Sequence, residues 1–254
     1  MAEELRVAVT AGAAGIGRAI AEAFDKIGAK IYVCDIAQDT LDSCKVDHPE
    51  WHYTRCDVSD EDQVENLFSE VKDTLGGLDV LVNNAGIAGP TGGIDEISTD
   101  EWRQTIDINL NGQFYSARYA VPMLRESKNA SIVSISSIAG RLAYANRTPY
   151  AASKWAIRGF TESLAWELGS DGIRVNTILP GIVEGPRIDS VIQARADKEG
   201  VTFDEMSQQY KDMASLRKMV TAQDVAAQIL FLCSESGRNI SGQSISVDGH
   251  VRAL

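Results

Sequence analysis

Through most of this chain, short apolar runs alternate with longer stretches in which apolar residues recur at helical intervals. The runs Leu5–Thr10, Lys30–Cys34, Trp51–Cys56, Val80–Val82, Ser131–Ser136, Ile173–Leu179 and Ser244–Val247 have the length and composition of strands. Between them, Gly17–Ile27, Gln63–Leu75, Trp102–Met123, Pro149–Leu168 and Ala222–Cys233 carry the spacing of helices. Repeated strand-helix units build a parallel sheet, because parallel neighbours need a crossover and a helix supplies it. The pattern predicts one α/β domain over residues 1–254, a Rossmann-like doubly wound, mostly parallel sheet with helices on both faces.

No composition shift, low-complexity linker or short-period repeat divides the chain. The main irregularity is Gly181–Met219, where Gly185-Pro186 precedes an amphipathic charged stretch and Gly200. This predicts helices outside the sheet. Ligands of such sheets bind beyond the carboxyl ends of the strands, so residues 182–219 are a candidate substrate lid.

With 254 residues, 44% apolar and 24% charged, the chain has material for a sizeable soluble core. A formal charge of −12 argues against nucleic acid or an anionic membrane as partner, since both reward clustered Lys and Arg. The opening Met-Ala-Glu-Glu-Leu-Arg lacks the basic and apolar regions of a signal peptide, and no apolar run suggests a spanning helix, so a cytoplasmic location is expected. Cys34, Cys44, Cys56 and Cys233 form no CxxC pair and have no His at ligand spacing, so no metal site is expected and the thiols read as small buried hydrophobes. His48, His52 and His250 show no triad spacing, and the four tryptophans read as core or interface anchors.

The first strand runs into Thr10-Ala11-Gly12-Ala13-Ala14-Gly15-Ile16-Gly17-Arg18, where a helix begins among the glycines. Such a turn lets backbone approach a pyrophosphate, and the helix N-terminus supplies free N–H groups and partial positive charge. Ala11, Gly12, Gly15, Ile16 and Gly17 are therefore cofactor-binding candidates. Asp35, twenty residues after Gly15, ends the second strand, where a carboxylate accepts from the adenosine ribose hydroxyls and repels a ribose phosphate. Neither Ala14 nor Ile36 supplies a cation, so NAD is expected over NADP. The plainer reading of Asp35 is a solvated carboxylate at a strand end.

The sequence resembles the short-chain dehydrogenase/reductase family over nearly its whole length. The resemblance rests on the glycine turn, Asp57-Val58, Asn83-Asn84-Ala85-Gly86, Asn109, Ser137, Tyr150-x-x-x-Lys154, Pro180-Gly181 and Val247-Asp248-Gly249. It implies that Asp57 and Val58 lie at the adenine, that Asn84, Ala85 and Gly86 line the cofactor cleft, and that Pro180, Gly181 and Val183 lie near the nicotinamide. It also implies a homotetramer or homodimer, with the helices of Asn109 and Tyr150 as one interface and the C-terminal helix and strand as another. Two positions depart from the family pattern. Ala11 stands where the first glycine of the turn is usual, so either Ala fits or the turn shifts by one. Gly185 stands where a threonine often contacts the nicotinamide, and the Val183 backbone is the candidate substitute.

Tyr150 and Lys154 are four residues apart after Thr148-Pro149, with Thr148 expected to cap a helix and Pro149 to occupy its first turn, so the pair shares one face. A tyrosine hydroxyl is ordinarily too weak an acid to act at neutral pH, and a nearby ammonium favours its ionised form. Ser137, thirteen residues before Tyr150, ends a strand at the ligand edge; the adjacent Ser136 is the competing assignment. By resemblance, Tyr150 exchanges the alcohol proton, Ser137 orients the substrate oxygen, Lys154 binds the nicotinamide ribose, and Asn109 holds a water leading from Lys154 to solvent.

Arg141 and Arg147 lie between Ser137 and Tyr150, and Arg187 follows Gly185-Pro186. A guanidinium in a largely dry pocket favours a carboxylate or phosphate. A small polar hydroxy compound, a hydroxy acid, a sugar-derived acid or a polyol, is the expected substrate. The arginines equally suit structural pairing with acidic neighbours. The competing functions are a 3-oxoacyl thioester reductase, which would prefer NADPH, and a non-catalytic dinucleotide-binding regulator.

Overall fold

The computed structural model describes residues 4–252, so the reading of the first three residues lies outside it. Seven strands form one sheet: β1 (Arg6–Thr10), β2 (Lys30–Asp35), β3 (His52–Arg55), β4 (Val80–Asn83), β5 (Ser131–Ile135), β6 (Arg174–Pro180) and β7 (Ser244–Val247). They pair in parallel throughout, in the order β3-β2-β1-β4-β5-β6-β7. Chain order runs outward from β1 in one direction and from β4 in the other. The crossovers therefore diverge at the β1/β4 boundary and leave a crevice there at the carboxyl ends.

Nine helices accompany the strands among the described residues: α1 (Gly15–Asp25), α2 (Gln38–Asp47), α3 (Glu61–Leu75), α4 (Thr99–Ile106), α5 (Gly112–Leu124), α6 (Thr148–Leu168), α7 (Pro186–Glu199), α8 (Phe203–Asp212) and α9 (Ala222–Cys233). Alternate strand residues face opposite layers. Ala8, Leu81, Ile132 and Val175 pack with α3, α5 and α6, whereas Val7, Val9, Val33, Val82 and Val133 pack with α1, α2 and α9. Both faces are thus covered, which is why the central strands read as continuous apolar runs. The four cysteines are buried free thiols, and burial pushes Cys233 up to about 11, in keeping with a structural role. Among the described residues, no helix is long and apolar enough to cross a membrane.

Several elements differ from the sequence pattern. The stretch expected as one helix over Trp102–Met123 is α4, a wide π turn at Asp107–Asn111, and α5. The π turn shifts the phase of the facing residues and carries Asn109 fully into the interior. α2 escapes a periodicity search because only Leu41 and Cys44 of its ten residues are buried. Thr148 does not cap α6: Ala151 N–H already donates to Arg147 C=O (2.9 Å), so Arg147 is the cap residue and Thr148 lies in the first turn with Pro149. The excursion after β6 is helical as expected. α7 and α8 pack on each other around Ile192, Ala196, Met206 and Met219, a small cluster separate from the two main layers.

Candidate active site

The site begins where β1 and β4 part. Thr10 Oγ1 accepts the N–H groups of Asn84 and Ala85 (both 3.0 Å), and Asn84 Nδ2 donates to the carbonyls of Thr10 and Ala11 (both 3.0 Å). These four bonds fix the glycine turn to the loop after β4. Ala11 holds φ at 48°, so the turn keeps its register and the alanine takes the left-handed conformation usual for glycine, at about 1–2 kcal/mol. Gly17 is required by contact: a Cβ there would stand 2.2 Å from Ala11 O and 2.6 Å from Asn84 Nδ2. Gly17→Ala is expected to destabilise the protein by about 1–3 kcal/mol and weaken dinucleotide binding roughly tenfold. Urea unfolding and fluorescence titration with reduced cofactor check it, and unchanged affinity would show that the turn is not the cradle.

The residues of the turn suit a diphosphate. Ala14, at the cap position of α1, makes no side-chain bond, and the first turn holds no acidic residue, so the terminal N–H groups stay available to an anion. A cavity of about 400 Å³ opens beside Ala13, Ala14 and Gly15 and reaches Asp39 and Ser43 of α2. Arg18, on its wall, is held by Glu22 (2.8 Å) and Asp47 (2.9 Å). Asp35 is half-buried at the end of β2; one oxygen accepts from Ala37 N–H (3.2 Å), and the other has no hydrogen-bond partner among the described residues. Asp57 Oδ1 accepts from Ser59 N–H (2.9 Å) and its hydroxyl (2.7 Å), which orients the carboxylate beside buried Val58.

At the carboxyl end of β5 the two serines separate. Ser136 is buried and donates to Lys154 C=O (2.7 Å), tying the strand to α6. Ser137 is half-buried, and its Oγ accepts from Ala139 N–H (3.1 Å), which leaves its proton free to donate. Lys154, 4% exposed, donates from Nζ to Ile135 C=O (3.0 Å) and lies 5.7 Å from the centre of the Tyr150 ring. Burial, and secondarily the positive charge of Arg187, pull this amine down to about 7.

The π turn delivers Asn109 to the same place. Its Oδ1 accepts from Ile87 N–H (2.7 Å), and Nδ2 donates to Ile87 C=O (3.0 Å) and Ser153 Oγ (3.0 Å), which in turn donates to Tyr150 C=O (2.8 Å). Both amide hydrogens are spent on protein partners, so a water held by this side chain must use the remaining lone pair of Oδ1. A Cβ at Gly86 would come within 3.1 Å of Asn109 Oδ1 and 3.3 Å of Lys154 Nζ, so that loop passes directly over the pair. Ser153 and Thr10 were not singled out in the sequence. Ser153 was discoverable by its place beside Lys154 one turn after Tyr150; the role of Thr10 depends on two strands meeting.

Pro180 ends β6 opposite Val247, Gly181 N–H donates to Val247 C=O (2.9 Å), and Val183 forms a parallel bridge with Val220. The three arginines part company. Arg141 reaches Ser246 Oγ on β7 (3.5 Å), with no contact to Tyr150 or Lys154. Arg147 donates to Ala88 C=O (2.7 Å) and stands over the rings of Tyr144 (5.3 Å) and Tyr150 (5.5 Å). Arg187 is exposed in the first turn of α7, has no hydrogen bond or ion pair among the described residues, and acts electrostatically on Lys154. Asp25, His48 and Glu50 place possible metal-ligating atoms within 4.8 Å of one another at the ends of α1 and α2, but contribute no residue to this site.

Comparison with known proteins gives a consistent picture. A family model described as Enoyl-(Acyl carrier protein) reductase matches residues 11–251. The chain is 33% identical over 261 residues to 3beta-hydroxysteroid dehydrogenase of Mediterraneibacter gnavus, covering 97% of this chain and 94% of that protein. It is 32% identical over 254 residues to cis-4-hydroxycyclohexanecarboxylate dehydrogenase of Sinomonas cyclohexanicum, covering 98% and 97%. Among solved structures, a variant of actinorhodin polyketide ketoreductase with NADPH is similar with a TM-score of 0.92 and 29% identity, covering 97% of each chain.

Proposed function

The chain belongs to the short-chain dehydrogenase/reductase family of oxidoreductases, and on that premise we propose that it is an NAD-dependent dehydrogenase of a small polar alcohol, a hydroxy acid, sugar-derived acid or polyol. The observation that carries this reading is the meeting of Lys154 with Asn109 beneath the Gly86 loop and with the Tyr150 ring, next to the strand end where Ser136 bonds Lys154 and Ser137 follows, beside a turn suited to a diphosphate. Bound NAD would supply the hydride acceptor. The chain's own work is binding, orientation and proton transfer.

The glycine turn from Ala11 to Gly17 would hold the phosphates, Asp35 the ribose hydroxyls, and Asp57 and Val58 the adenine. Asn84, Ala85, Gly86, Pro180, Gly181 and Val183 would enclose the nicotinamide end, with Lys154 on its ribose. Ser137 donates to the substrate oxygen, Tyr150 Oη takes its proton, and a charged Lys154 stabilises the negative charge that the tyrosine carries in that exchange. The unpaired oxygen of Asp35 and the commitment of Arg18 to Glu22 and Asp47 support NAD over NADP. Arg187, without a hydrogen bond or ion pair among the described residues, supports an anionic substrate, as does the hydroxycarboxylate for which the Sinomonas relative is named. The α7–α8 excursion would act as the lid. Exposed Phe114, Trp155 and Trp166 support self-association as a homodimer or homotetramer, and the acidic balance supports a cytoplasmic setting.

The test is reduced-nicotinamide absorbance with NAD and NADP across hydroxy acids, polyols, sugars and hydrophobic alcohols. NAD is expected to exceed NADP at least tenfold in kcat/KM, and Asp35→Ser to erase most of that ratio. Preference for NADP would overturn the assignment. The description of the matching family model and the NADPH-bound neighbour favour one competing reading, a thioester reductase. Turnover of a 3-oxoacyl thioester with NADPH, and of no alcohol, would establish that reading instead.

A further inference from the structure

Among the described residues the Arg147 side chain makes one hydrogen bond, from Nη2 to Ala88 C=O. It caps no backbone group of α6 with its side chain, makes no ion pair among the described residues, and encloses its Nε without an acceptor. Half-burying a guanidinium in that way is unfavourable unless its charge is used. What it does face is aromatic: its guanidinium carbon stands over the Tyr144 ring at 5.3 Å and over the Tyr150 ring at 5.5 Å, with Nη2 anchored on Ala88 C=O at 2.7 Å.

From this we propose that Arg147 is a positioning residue for the proton-exchanging tyrosine, holding the Tyr150 ring against the loop after β4 and stabilising its phenolate. The inference rests on the proposed role of Tyr150. A phenolate shares its negative charge with the ring, so a cation over the face gains attraction when the proton leaves. Lys154, the other cation at this ring, is buried and opposed by Arg187, whereas a guanidinium stays charged at every working pH. Arg147 thus keeps a positive field on the tyrosine where the lysine is neutral.

Among the described residues, Arg147 and Lys154 are the charged groups that stand over this ring. The loop after β5 contributes the Ser137 hydroxyl, the loop after β4 backbone, and the π turn neutral Asn109 with Asp107, which accepts from Asn111 (2.7 Å). On α4, Asp100 pairs with Arg103 (3.5 Å) and Glu101 with the Ser98 hydroxyl (2.7 Å), all exposed. On α7, Arg187 acts on Lys154.

The experiment compares Arg147→Met and Arg147→Lys with the unaltered protein by ultraviolet phenolate titration of the cofactor-free chain, using Tyr150→Phe to isolate the signal of Tyr150. The pH profile of alcohol oxidation is measured in parallel. Arg147→Met is expected to move the Tyr150 titration and the acid limb of kcat/KM upward together by about half to one pH unit, a loss of roughly three- to tenfold at neutral pH. Arg147→Lys, which keeps the charge and loses the planar fork, recovers part of the shift. If both variants change only thermal stability or KM and leave the titration in place, the inference is wrong and the residue is structural. Full activity in Tyr150→Phe would instead overturn the premise, so the two failures are distinguishable.

Discussion

Tyr150→Phe is expected to lower kcat by about a hundredfold to ten-thousandfold, on the order of 3–5 kcal/mol of lost transition-state stabilisation, while NAD affinity and thermal stability change little. The prediction follows from what the ring touches. Tyr150 is half-buried on α6, its ring lies 5.7 Å from Lys154 Nζ and 5.5 Å from the Arg147 guanidinium, and its hydroxyl has no hydrogen-bond partner among the described residues. Removing that oxygen therefore deletes no interaction on which the fold depends. Lys154 keeps its bond to Ile135 C=O, and Ser153 keeps its bond to the Tyr150 carbonyl, because both are independent of the phenol. A stopped-flow comparison with matched cofactor titrations separates the outcomes. Activity within about threefold of the unaltered protein would remove Tyr150 from the proton path.

Much of this arrangement is legible before any coordinates. The strand-helix alternation is a consequence of covering both faces of a parallel sheet, and each of the seven expected strands is found within a residue or two of its predicted limits. Spacing also fixes Tyr150 and Lys154 on one helix face and places Asp35 at the end of β2. What stays illegible is contact between segments distant in sequence. The Thr10–Asn84 bonds span 74 residues and the Asn109–Ser153 bond 44, and neither leaves a periodic trace. The π turn is hidden for a different reason: the apolar pattern of the flanking turns continues across it, while one wide turn rotates Asn109 inward. The arginines show the limit most plainly. Composition makes Arg141, Arg147 and Arg187 equivalent, whereas packing sends the first to β7, stacks the second on two tyrosines and leaves the third without a partner among the described residues.

Lys154→Met is expected to abolish most turnover and at the same time to make the cofactor-free protein more stable at neutral pH. Burial draws the amine from its ordinary value of 10.5 down to about 7, with Arg187 adding to the effect, and a displacement of that size sets a ceiling of roughly 5 kcal/mol on what the buried charge costs the fold. Methionine fills a similar volume without that charge. It leaves Ile135 C=O without its donor, which offsets about 1–3 kcal/mol, so a net gain on the order of 1–3 kcal/mol is expected at pH 7. The pH dependence fixes the sign. Between about 7 and the ordinary lysine value the unfolded chain binds the proton that the folded chain has released, so the stability of the unaltered protein rises with pH through this window. Below it both states are protonated and the full cost is present. The variant lacks this slope, so its advantage is greatest at or below pH 7 and fades toward pH 10. Urea unfolding of both proteins at about pH 6.5 and about pH 9.5 measures it directly, since every other titrating group is common to the pair. A variant less stable at both values, with an unchanged difference between them, would show that Lys154 sits comfortably charged in the fold. The fold would then bear no cost for holding its ammonium beside the tyrosine.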